Sequence, residues 1–185
     1  KFYLGSIARK ITRKSPCSVL LLIKPSVEMV AKKHIVVNAF KSSQTIDTIS
    51  AAFEYADKLK IPKITLVDEI NQSEINVNVD DDISLKKATK KREEVTKKEE
   101  LRITEVMKSI PSLLLKNKQV NFQGIFGTRG HSIGHYARVA RADLLVINSE
   151  EKRMSFWSKL FPKDLEHILS EIPTDVLIVK MKKDE

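Results

Sequence analysis

The chain has 185 residues, 42% of them hydrophobic and 31% charged, with a formal net charge of +9. That is apolar material for one α/β domain and a little more, and no apolar run approaches the roughly 20 residues of a membrane span. The single cysteine, Cys17, excludes an internal disulfide and fits a reducing cytoplasm, and most of the positive charge sits in residues 1–33, which reads as a solvated helix face rather than a nucleic-acid footprint.

Ile7, Ala8 and Ile11 mark the apolar face of a first helix, with Arg9, Lys10, Arg13 and Lys14 on its other side. Pro16 stops it, because the residue before proline avoids the α region. The run Val19 to Ile23 then reads as a strand buried on both faces, with Cys17 a small apolar residue at its start. The same unit recurs near the end of the chain. Leu165, Ile168 and Leu169 mark a helix, Pro173 stops it, and Val176 to Val179 form the strand. Setting Pro16 on Pro173 brings Val19 onto Val176 and Leu20 onto Leu177. A repeat of this kind sets the organisation. Residues 1–24 are the last helix and strand of a preceding domain, 25–33 a linker, and 34–181 a complete second domain. The natural protein is expected to be longer at its N-terminus.

Within the complete unit, His34 to Phe40 predicts a first strand. A helix follows, capped by Ser42 or Ser43, with an apolar stripe of Ile46, Ile49, Phe53 and Ala56. Lys63 to Glu69 is a second strand, so a right-handed parallel crossover is expected. Asn71 to Lys90 is polar. Asp80, Asp81 and Asp82 lack the alternation of a calcium loop and read as an exposed loop or an acidic helix start. The Lys/Glu run from Lys86 to Glu100 reads as a solvated helix face or partly disordered chain, and helical periodicity returns with Ile103, Val106, Met107 and Ile110 before Pro111. Gln119 to Gly127 is a third strand, and Ile133, Tyr136, Ala137 and Ala140 mark the next helix. Ala142 to Ser149 is a fourth strand, apolar almost throughout. Strands alternating with helices make a doubly wound parallel sheet.

Four of the five glycines fall between Gly124 and Gly134. At this strand-to-helix turn Gly127 and Gly130 are candidate anion ligands through their backbone amides, although their spacing matches no phosphate fingerprint and a plain turn is the favoured reading. His131 and His135 stand one helical turn apart without a carboxylate or cysteine at zinc-site spacing, so no metal is expected. No spacing assembles a nucleophile, a base and an acid, and a non-catalytic protein is expected.

Leu4 to Leu22 resembles the closing segment of a universal stress protein domain, and Ala137 to Asn148 resembles the stretch before that family's phosphate loop. The resemblance covers all but the insertion around 71–98. It implies an α/β, Rossmann-like five-stranded parallel sheet in the order 3-2-1-4-5, of the adenine nucleotide alpha hydrolase-like type, preceded by the helix and strand of another such domain. Many members bind ATP through a loop of two glycines followed, nine residues on, by Gly-Ser or Gly-Thr. In this sequence Gly5 and Ser6 match that final pair in the preceding domain, which makes them candidate nucleotide ligands there. In the complete domain Pro162-Lys163 stands at the final pair, Asn148 and Glu151 at the earlier glycines, and Phe40 at the position of an acidic nucleoside ligand. Either Phe40, with Phe156 or Trp157, fills the nucleoside space, or these aromatics are ordinary core and subunit-contact residues. The resemblance therefore implies ATP for the preceding domain and no cofactor for the complete one. It implies a regulatory or sensory protein, cytoplasmic, either a tandem stress protein or the regulatory domain of a cation/proton antiporter or other membrane transporter. The exposed face of Ile7, Ala8 and Ile11 predicts a homodimer. The repeated strands are expected to pair antiparallel, Val19 to Ile23 beside Val176 to Val179.

Overall fold

The computed structural model describes residues 5–23, 25, 28, 30–75, 81–128, 130–148, 168 and 174–180. The strands are β1 (Val19–Leu21), β2 (His34–Asn38), β3 (Lys63–Ile70), β4 (Gln119–Phe126), β5 (Leu144–Asn148) and β6 (Asp175–Val179). The helices are α1 (Ser6–Lys14), α2 (Thr45–Lys58), α3 (Asp82–Met107), α4 (Ser112–Leu115) and α5 (His131–Val139).

All six strands join one sheet in the order β1-β6-β5-β2-β3-β4. The five strands β2 to β6 are parallel and, counted from β2, follow the expected order 3-2-1-4-5. The sheet is nevertheless six-stranded and mixed, because β1 adds to the edge of β6 antiparallel, with Leu20 opposite Leu177. This is the expected pairing of the two repeated strands, over three residues rather than five. The physical reason is the exposed backbone of an edge strand, which β1 satisfies. Asp175 helps hold the junction: its carboxylate accepts from the Ile23 amide at 2.9 Å and from Lys32 Nζ at 2.5 Å.

Apolar runs make the central strands, and both of their faces are covered. One face holds Ile35, Val37, Ile64 and Leu66 under α2, α3 and α4, with Phe53, Ile103 and Ile110 packed onto them. The other holds Val36, Val67, Leu145 and Ile147 under α5 and Ile168. On this second face His34 is buried, its Nε2 2.8 Å from Thr65 Oγ1, and burial lowers its pKa.

Three sequence expectations, on α2, on Cys17 and on the burial of β1, where Leu20 is 39% exposed, need correction, while the Lys/Glu run takes the helical of its two readings. The buried stripe of α2 runs through Thr45, Thr48, Ile49, Ala52, Phe53 and Ala56, while Ile46 is 39% exposed. The Lys/Glu run belongs to one 26-residue helix, α3, which begins at Asp82. Asp81 caps it, accepting from the Ser84 amide at 2.7 Å while its own amide donates to Ser84 Oγ at 3.0 Å. That mutual bond satisfies two backbone groups and lowers the Asp81 pKa, the acidic helix start that the sequence suggested. Cys17 is exposed and precedes β1, because its segment is a turn bridged by Ser15 Oγ.

Candidate functional site

In an open parallel sheet, ligands bind beyond the carboxyl ends of the strands, where the strand order reverses. Here that point lies between β2 and β5. The backbone leaving β2 turns sharply and is bonded within the chain. The Ala39 amide donates to Val67 O at 2.8 Å, and the Phe40 amide to Asn38 Oδ1 at 3.0 Å. Thr45 Oγ1 donates to Phe40 O at 2.7 Å and accepts from the Ser42 amide at 2.9 Å. From the far side of the crevice Asn148, the last residue of β5, donates through Nδ2 to Ser42 Oγ at 3.2 Å. The mouth of the crevice is thus bridged by two side chains, and Phe40 stands beside it half-buried.

A buried charged cluster closes the neighbouring end of β3. Arg102 reaches in from α3. Its Nη2 donates to Ala39 O at 2.9 Å and to Asp68 Oδ2 at 3.0 Å, and its Nε to Glu99 Oε2 at 2.5 Å. Burial pushes the Asp68 carboxyl up to about 6; Arg102 opposes the rise and the nearby Glu99 adds to it. One guanidinium therefore ties α3, the end of β3 and the turn after β2 together. Sequence reasoning passed over this cluster. Its readable signal was a charge inside an apolar strand, Asp68, and another beside Ile103 on the inward stripe of a helix, since such residues are rarely buried unless paired.

The glycine turn after β4 holds an anion, but one of the chain's own. Glu69 at the end of β3 is buried, and its two carboxylate oxygens accept from the Gly130 amide at 2.9 Å and the Ile133 amide at 2.8 Å. These are donors at the start of α5, where a carboxylate is favoured. Gly130 has φ 76°, a conformation open to glycine. A Cβ on Gly127 would lie 2.1 Å from Ser132 Oγ, so a side chain there would force that hydroxyl away from Thr128 O. His131 and His135 are exposed on the outer side of α5 and line, with Phe126 and Tyr136, a shallow groove of about 460 Å³. Among the described residues no group of three or more His, Cys, Asp or Glu could hold a metal ion. Gly5 is the exposed N-cap of α1 and Ser6 its first residue. They lead into β1, at the sheet edge opposite the one followed by Gly127 and Gly130. Glu150, Glu151, Phe156, Trp157, Pro162 and Lys163 lie outside the described residues.

The architecture has close counterparts among solved structures. UspA from Lactobacillus plantarum superposes with a TM-score of 0.58 at 13% identity, over 82% of this chain and 100% of that one. The fold is that of the universal stress proteins. A universal stress protein from Archaeoglobus fulgidus superposes with a TM-score of 0.62 at 15% identity, over 98% of this chain and 56% of its own. A third universal stress protein, solved in complex with cAMP, gives a TM-score of 0.50 at 16% identity, over 81% of this chain and 98% of its own. No family model matches the sequence, and no curated protein matches it. Among the described residues no helix is long and apolar enough to cross a membrane.

Proposed function

We propose that the chain is a non-catalytic regulatory module of the universal stress protein type, with its nucleotide crevice closed by its own side chains. The observation that carries this reading is Arg102. Its guanidinium occupies the backbone carbonyl of Ala39 and the carboxylate of Asp68, beside the point where an open α/β sheet takes its ligand. The Asn148–Ser42 bond across the switch point supports it, because both groups that face the crevice there are already paired. Residues 1–24 are the closing helix and strand of a preceding domain of the same kind. The antiparallel seat of β1 on β6 supports this, as does the longer Archaeoglobus fulgidus neighbour, which takes up 98% of this chain where UspA takes up 82%.

Calorimetric titration with ATP and with cAMP tests the proposal. A closed crevice gives no saturable heat with either nucleotide. Saturable micromolar binding that is lost in an Asn148→Ala variant would overturn it.

A further inference from the structure

The two edges of the sheet differ. At one, β1 is three residues long. At the other, β4 runs for eight residues, and among the described residues no strand pairs with its outer side. The Gln119 amide donates inward to Pro62 O and the Gly127 amide to Ile70 O. The odd-numbered residues of β4 therefore turn their backbone groups to β3. Val120, Phe122, Gly124 and Phe126 turn theirs outward, since successive residues of a strand alternate. Only the Gly124 carbonyl has a described partner on that side, the Gln123 side-chain amide at 3.0 Å.

Edge strands are ordinarily protected by charge, proline or a bulge. Gln119–Phe126 has none of these: it carries no charged residue and no proline, and it pairs with β3 in unbroken register over all eight residues. Its two faces are distinct. Val120 and Phe122 pack against the core under α3 and α4. Thr96 of α3 abuts Gly124, and Arg92 lies 5.1 Å from the centre of the Phe126 ring, so α3 covers this side of the strand's C-terminal half. On the opposite face Gln119, Asn121 and Gln123 form an exposed row of amides.

We propose that β4 is an interface for a second copy of this chain, pairing antiparallel with its own counterpart about a two-fold axis at Asn121. In that register Gln119 stands opposite Gln123 of the other copy, and Asn121 opposite Asn121. Each amide offers both a donor and an acceptor, so the row is complementary to itself. On the other face Val120 stands opposite Phe122, an apolar cross-strand pair of the kind that stabilises sheets. The outward backbone groups of Val120 and Phe122 fall in hydrogen-bonded pairs, and Asn121 falls in a non-hydrogen-bonded pair. The lack of charge makes a copy of the same strand the matching occupant, because a charged partner would find nothing to pair with. The sheet of each copy continues into the other, away from the crevice and away from β1.

The register makes the test specific. Wild-type protein should sediment as two copies. Asn121→Lys places like charges face to face and should sediment as one copy, as should Asn121→Glu. Mixing the two variants should restore a two-copy species. In a Cys17→Ser background, Asn121→Cys should form a disulfide between copies, since Cα atoms of a non-hydrogen-bonded pair lie about 4.5 Å apart, within disulfide reach. Asn121 is exposed, so at protein concentrations too low for pairing the variants should keep the wild-type unfolding midpoint. A wild-type protein that stays a single copy at all concentrations overturns the proposal. So does a two-copy species that persists in Asn121→Lys, as a dimer built on the exposed Ile7 and Ile11 of α1 would.

Discussion

Replacing Asp68 by asparagine isolates the electrostatics of the closed crevice. The Asp68 side chain is 5% exposed and its pKa stands at about 6, against 3.8 for an unperturbed aspartate. Burial is the largest cause; the Arg102 guanidinium opposes it without cancelling it. The folded protein therefore holds this proton more tightly than the unfolded chain does. Its contribution to stability is fully present below pH 3.8 and is lost as pH rises through about 6. At about 1.4 kcal/mol for each tenfold change in proton affinity, the loss is roughly 3 kcal/mol. Asp68→Asn cannot titrate, and groups outside this charged cluster titrate alike in the two proteins. Urea unfolding of both across this pH window should show the stability of wild type, measured against the variant, falling by that amount. A constant difference would refute the reasoning. So would a rising one, which would mean that Arg102 outweighs burial and that the carboxyl sits below its ordinary value.

Two further substitutions probe the frame around the site. Glu69→Ala removes the acceptor of two buried amides, and orphaning each costs about 1–3 kcal/mol, so denaturant unfolding should show a loss of roughly 2–6 kcal/mol. Exchange at Gly130 and Ile133 should quicken with it, and unchanged stability would mean that Glu69 is not the anchor of α5. Asp81→Ala breaks the capping bond that starts α3 and should cost about 1 kcal/mol, with fraying confined to the first turn in amide exchange.

The inner strands were legible because each is an apolar run bounded by turn residues, and five strands in parallel leave few arrangements. The repeat made even the β1–β6 pairing readable, since Leu20 and Leu177 occupy matching places in it. The long helix was legible only in part. From Asp82 to Met107 it buries Ile103 alone, so its first turns carry no apolar periodicity. Its start was visible only in its aspartates, and the reciprocal bond with Ser84 replaces the glutamate that usually completes such a cap. Cys17 and Ile46 misled for a shared reason: each lies at the margin of an apolar segment, where one residue of phase decides burial. The site is written across long separations. Glu69 meets Gly130 from 61 residues away, and Arg102 meets Ala39 from 63. Only the fold brings such partners together. At the glycine turn the Gly130 amide meets the Glu69 carboxylate while the Gly127 amide goes to Ile70 O, and nothing near the turn in the chain announces either partner.

Amide hydrogen exchange of wild-type protein, with and without millimolar ATP, tests the closed crevice most directly. If Arg102 and Asn148 hold it shut, the amides from Ala39 to Thr45 exchange at the same rates in both conditions. Protection of that turn by ATP, removed in Asn148→Ala, would contradict it and would mean that a working nucleotide site lies behind the Asn148–Ser42 bridge.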